Sequence, residues 1–133
     1  MTATAVLTHI EIDGTYNGKR RYSVRFDKHQ IWLRGKSFTY LVKLAYARRA
    51  GGKGWIYKTD IEVGDNQARY LYRLKLEIQS QIGDVDGAIV ENNREGYYRL
   101  AFEPRNIRIN EDNLRDFPDV SIRQLAVRRE VCR

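Results

Sequence analysis

Arg69 and Arg73 stand four residues apart, one helical turn, with Asn66 three residues before the first. A guanidinium can grip guanine O6 and N7 through two hydrogen bonds, and an amide side chain can do the same for adenine N6 and N7. That chemistry needs a rigid helix with one buried face and one open face. The stretch 66–81 is patterned as such a helix: Leu71, Leu74, Ile78 and Ile82 recur at three- and four-residue spacing, leaving Asn66, Arg69, Arg73 and Ser80 on the opposite face. Tyr70 supports them near the helix start, and Leu76 also points outward, toward a thymine methyl or into packing. The alternative is a solvated helix face in which Glu77 pairs with Arg73 across one turn.

Two further groups have residue types suited to a phosphate backbone. Asn92, Asn93 and Arg94 occupy the polar tip of a hairpin, where an arginine could enter a minor groove or touch phosphate; an ordinary hairpin turn reads the same. Lys53, Tyr57, Lys58 and Thr59 surround the start of a short helix, whose free amides would suit a phosphate. Lys19-Arg20-Arg21 reads as a solvated basic turn.

Catalytic and metal chemistry find no comparable grouping. His9 and His29 have no ligating partner at metal spacing. Asp84, Asp86 and Glu95 fall where a calcium loop would start and end, but Ala88 and Ile89 occupy positions that need a ligand and a sharp-turn glycine. Neither a phosphate-cradling glycine loop nor a nucleophile elbow occurs. The expectation is a protein that is no enzyme and takes no cofactor, metal or small-molecule substrate.

These side chains need elements to position them. Leu7–Ile12 and Arg21–Phe26 alternate apolar and polar residues around Asp13-Gly14 and Asn17-Gly18, predicting a hairpin, and His29–Arg34 continues it as a third strand. After Gly35 a first helix places Phe38, Leu41, Leu44 and Ala45 on one stripe and stops at Gly51-Gly52. Trp55-Ile56-Tyr57 reads as a short extended piece before a brief helix containing Ile61. Gly64-Asp65 precedes the 66–81 helix, with Asp65 expected to cap it. Ala88–Glu91 and Tyr97–Phe102 form the closing hairpin. The predicted core joins Phe38, Leu41, Leu44, Ile61, Leu71, Leu74, Ile78 and Leu100.

From Pro104 onward, a linker across Glu111–Asp119 leads to a helix over Val120–Val131, with Ile122, Leu125 and Ala126 clustered and Arg123, Arg128 and Arg129 exposed. That helix either docks on its own chain or makes a homodimer contact.

Composition bounds the partners. The 133 residues suffice for one modest core, and 24 Lys and Arg against 17 Asp and Glu leave a formal charge of +7. Such a charge attracts polyanions over a Debye length of roughly 8 Å. The lone Cys132 forms no internal disulfide, no signal-peptide pattern opens the chain, and no stretch approaches a membrane span. A reducing cytoplasm is the expected location, with no membrane partner.

In element order, residues 5 to 102 resemble the winged-helix effector domain of response regulators of the OmpR/PhoB type. Leu33, Phe38, Tyr40, Leu41 and Leu44 match its entry into the first helix. Leu71, Leu74 and Ile78, with Arg73 and Lys75 between them, match its recognition helix, and Gly96, Tyr97 or Tyr98, Arg99 and Leu100 match the end of its wing. The chain departs from the pattern in having no receiver domain ahead of the sheet and only Glu62–Asn66 between the second and third helices, where that family has a long polymerase-touching loop. The resemblance implies an α+β winged helix-turn-helix: an N-terminal antiparallel sheet, three helices and a C-terminal β-hairpin wing over residues 1–103, then a linker and helical tail over 104–133. It implies a sequence-reading, double-stranded-DNA-binding regulator of transcription, with helix 66–81 in the major groove and wing 92–96 on the minor groove or backbone. Its implied DNA contacts are Asn66, Arg69, Tyr70, Arg73, Lys58, Thr59, Tyr57, Asn93 and Arg94. The competing functions are a protein-interaction module presenting Tyr70, Tyr72, Leu76 and the terminal helix, and RNA binding through the wing and sheet.

Overall fold

The computed structural model describes residues 6–131, with side chains to Val127; Cys132 and the side chains of Arg128 and Arg129 lie outside the described residues. Alternation of apolar residues builds the first sheet. β1 (Ile10–Tyr16), β2 (Arg21–Phe26) and β3 (His29–Arg34) form an antiparallel meander that buries Ile10, Ile12, Val24, Phe26, Ile31 and Leu33 on one face. Asp13-Gly14 lies within β1 instead of the turn. The register shifts between Ile12 and Tyr16, and at Gly14 (φ +79°) a Cβ would already touch Phe38 and Leu114 at 3.4 Å.

α1 (Gly35–Arg49) was expected to bury one stripe but is buried on nearly all sides, from Ser37 through Val42 and at Leu44, Ala45 and Tyr46. It is the central helix, in contact with β2, β3 and both α3 (Gln67–Ile82) and α5 (Val120–Val131). Between them, the chain turns at Gly51 and Gly52 into β4 (Ile56–Tyr57) and α2 (Lys58–Ile61). Lys43 Nζ donates to the Ile61 carbonyl at 2.6 Å, satisfying the end of that short helix. After α3, β5 (Val90–Asn92) and β6 (Tyr97–Leu100) form a hairpin, and β4 pairs with β6, so the second sheet runs β4-β6-β5.

The expected linker is part of the fold. β7 (Ile107–Ile109) pairs parallel to β1, completing a four-stranded sheet β3-β2-β1-β7, and α4 (Glu111–Leu114) follows it. Ile107, Leu114, Phe117, Ile122 and Ala126 are buried in the same cluster as the eight predicted core residues. No break in the core falls at residue 103. The reason is aromatic as well as aliphatic: the Phe117 ring centroid lies 4.7 Å from that of Tyr22 and 5.3 Å from that of Phe38. Of the stripe Ile122, Leu125 and Ala126 offered to a second copy, Ile122 and Ala126 are thus occupied within the chain and Leu125 is half-buried. Arg123 is half-buried, not exposed, and donates to the carbonyls of Phe117 at 2.7 Å and Pro118 at 3.1 Å. The described residues therefore make a mixed α+β fold of seven strands and five α-helices, where three helices, a wing and one tail helix were expected. None of these helices is long and apolar enough to cross a membrane.

Candidate nucleic-acid interface

α3 has the two faces its periodicity predicts. Leu71, Leu74 and Ile78 are buried, whereas Asn66, Arg69, Arg73, Leu76 and Ser80 are exposed. Asp65 does not cap it. Asn66 is the N-cap residue and makes no side-chain cap bond, and buried Gln67 instead donates from Nε2 to the carbonyls of Glu62 and, at 2.7 Å, Gly64. The short α2–α3 connection is held by that amide.

Glu77 does not pair with Arg73. Its Oε1 accepts the Arg34 main-chain N–H at 2.9 Å and its other oxygen accepts the Ser37 hydroxyl. One turn on, Gln81 Oε1 accepts the Trp32 N–H and Gln81 Nε2 donates to the Trp32 carbonyl, both at 2.8 Å. This flank of α3 thus stands in for a fifth strand against the edge of β3. An i,i+4 reading within one helix has no view of a strand edge distant in sequence. Arg69 and Arg73 are left outside every ion pair among the described residues.

Tyr70 is half-buried, edge-on to Tyr40 with ring centroids 5.7 Å apart. Lys36 Nζ lies 5.2 Å and Arg73 Cζ 5.7 Å from its ring centroid, so Tyr70 orients two cations more than it offers an edge of its own. Beneath it, Lys36 and the Tyr40 hydroxyl both donate to Glu62, the latter at 2.7 Å. Burial raises the Glu62 carboxyl, but the hydrogen bonds from Lys36 and Tyr40 outweigh it and hold the group below its ordinary value. Burial, and then the bond to Glu62, push the Tyr40 phenol well above its ordinary range, so it remains a donor.

The hairpin is clamped to the start of α2. The Lys58 N–H donates to the Gly96 carbonyl at 2.8 Å, and Tyr57 packs edge-on against Tyr97 with centroids 5.0 Å apart. Gly96 has φ +92°, and a Cβ there would come within 2.8 Å of Tyr57. The Lys58 amide is consequently not free for phosphate, and Tyr57 is a half-buried spacer; Thr59 is exposed beside them. At the tip, Asn92 Oδ1 accepts from the Arg94 N–H at 2.7 Å, while Asn93 Oδ1 accepts from Glu95 N–H at 2.8 Å and Tyr97 N–H at 3.1 Å. Asn93 is a turn-former. Arg94, at φ +64°, is the exposed cation of the tip.

On the hairpin side of α3 lies a groove of about 490 Å³ lined by Leu71, Tyr72, Lys75, Ile89, Val90 and Tyr98. Tyr72 is 60% and Leu76 45% exposed nearby. Two basic residues outside those named from the sequence, Arg21 and Arg34, stand opposite each other in the β2–β3 ladder. Alternation along β2 and β3 was the available signal, since it assigns both to the open face of the sheet.

Comparison with protein-family models, curated proteins and solved structures finds no match. The resemblance to response-regulator effector domains rests on the residues and element order above.

Proposed function

We propose that the chain is a winged helix-turn-helix DNA-binding protein, a sequence-reading regulator of transcription in which α3 enters the major groove and β5–β6 serves as the wing. The observation that carries this reading is the state of Arg69 and Arg73: exposed, one turn apart and without a carboxylate partner among the described residues, on a helix whose other face is seated in the core. Arginine forks not neutralised by the protein are available to guanine edges or phosphates. The order α1–β4–α2–α3–β5–β6, with β4 joined to β6, supports it by flanking α3 with a three-stranded sheet. Lys58, Thr59 and Arg94 belong to the two segments joined by the Lys58–Gly96 bond, suiting them to backbone contacts that add affinity without sequence information. Asn66 is exposed at the helix start, and its side chain makes no cap bond. Arg73→Ala is expected to relax discrimination at one base position at a cost of roughly 1–3 kcal/mol, and Lys58→Ala to weaken all duplexes alike. If both variants bind every duplex as wild type does, the groove assignment is wrong.

A protein-interaction module is the second reading, favoured by exposed Tyr72 and Leu76 beside the apolar groove. Tyr72→Ser would then abolish partner binding, with weak salt dependence.

A further inference from the structure

Arg21 and Arg34 are directly opposite each other in the β2–β3 ladder. Arg34 N–H and both main-chain groups of Trp32 point away from β2 toward α3, so Arg21–Arg34 is a non-hydrogen-bonded pair, the kind in which opposed side chains lie closest. Like charges in that position repel. Elsewhere this face avoids the conflict: Glu11 is opposite Arg25 on one side and Arg108 on the other, and Arg25 is opposite the neutral Gln30. Asp13, in the row between, is taken up by the Ser23 and Thr15 hydroxyls. Neither Arg21 nor Arg34 is in an ion pair among the described residues, and Glu77, the carboxylate nearest the Arg34 backbone, has both oxygens engaged.

The couple also continues the basic face of α3. Glu77, which holds the Arg34 N–H, lies one turn beyond Arg73, and Lys36 shares the Tyr70 ring with Arg73. The groove and wing flank α3 on the side of Tyr72 and Lys75; Arg34 flanks it on the side of Glu77 and Gln81, with half-buried Arg21 one strand further out. We infer that the Arg21–Arg34 couple is a phosphate-binding site that extends the DNA footprint from α3 onto the open face of the N-terminal sheet, where a backbone phosphate between the two guanidinium groups relieves their repulsion. This rests on the DNA-binding reading and adds a second point of contact to it.

The test uses the full chain, a duplex retained from a randomised pool and trimmed to the shortest length that is still discriminated from a scrambled duplex, and the same duplex lengthened by one helical turn, ~10 base pairs, on each side. Affinity is measured against salt for wild type and for the Arg21→Gln/Arg34→Gln double variant. Loss of the one phosphate held between the two arginines lowers the slope of log K against log salt by about 0.9. The inference expects that loss on the long duplex only, with an unchanged slope on the trimmed duplex and an unchanged or higher melting temperature without DNA, because a repulsion has been removed. Equal slopes for variant and wild type on the long duplex would overturn it while leaving the DNA-binding reading intact. A lower melting temperature of the variant would show that the arginines support the sheet, and would also overturn it. A wild-type chain that retains no duplex overturns both.

Discussion

Gln81 and Trp32 exchange two hydrogen bonds, each 2.8 Å, so that a helix side chain supplies the donor and acceptor of a missing neighbouring strand. With Glu77 on Arg34, the contact fixes the angle of α3 against the N-terminal sheet and closes an edge that could otherwise pair with another chain.

Gln81→Ala is expected to cost about 0.5–1.5 kcal/mol per bond lost, at the low end because the site is exposed, and to promote self-association at high protein concentration. Urea unfolding and light scattering measure the two effects. A variant as stable and as monodisperse as wild type would mean the edge needs no cover.

Leu74→Ala and Ile122→Ala remove side chains that are 1% and 0% exposed. Each should cost roughly 2–5 kcal/mol in chemical denaturation. A loss at Leu74 with none at Ile122 would indicate that α5 contributes nothing to the core and that the tail is an appendage.

Gly96→Ala combines an unfavourable positive φ with a Cβ 2.8 Å from the Tyr57 ring. The clamp between the β5–β6 hairpin and α2 should open, costing more than about 1 kcal/mol of stability, and on the proposed reading DNA affinity should fall more than in Asn93→Ala. Equal affinities for the two variants would mean the wing's seating is irrelevant to binding.

The Glu62 carboxyl is held below its ordinary value in the folded chain, so its contribution to stability is present above the ordinary carboxylate range and is lost as pH falls through the lower folded value. Thermal unfolding followed on acidification should show Glu62→Gln less stable than wild type at neutral pH and converging with it in acid. Parallel curves at all pH values would show that Lys36 and Tyr40 do not stabilise the ionised form.

The parts legible in the sequence were those with long, regular patterns. α3 carries four apolar residues at helical spacing, and β2 spans the predicted residues, so both elements and the eight core positions could be read directly. β7 has only three residues, and its partner β1 lies at the far end of the chain, so nothing local marked residues 104–133 as more than a linker and tail. α5 buries Ile122 and small Ala126, a stripe too narrow to declare what covers it. Within the site, exposure of Arg69 and Arg73 followed from periodicity. The packing of Tyr70 on Tyr40, the use of Asn93 inside its own turn and the diversion of Glu77 to Arg34 did not, because each depends on a neighbour brought in by tertiary structure.

The most direct measurement is the salt dependence of duplex binding for wild type and the Arg69→Ala/Arg73→Ala double variant. If α3 lies in a DNA groove, wild-type affinity falls linearly on a log–log plot with a slope of several units, and the double variant binds more weakly and loses discrimination between selected and scrambled duplexes. Wild-type binding that is absent, or that neither responds to salt nor changes when both arginines are removed, would contradict the assignment of α3 as a DNA-reading helix.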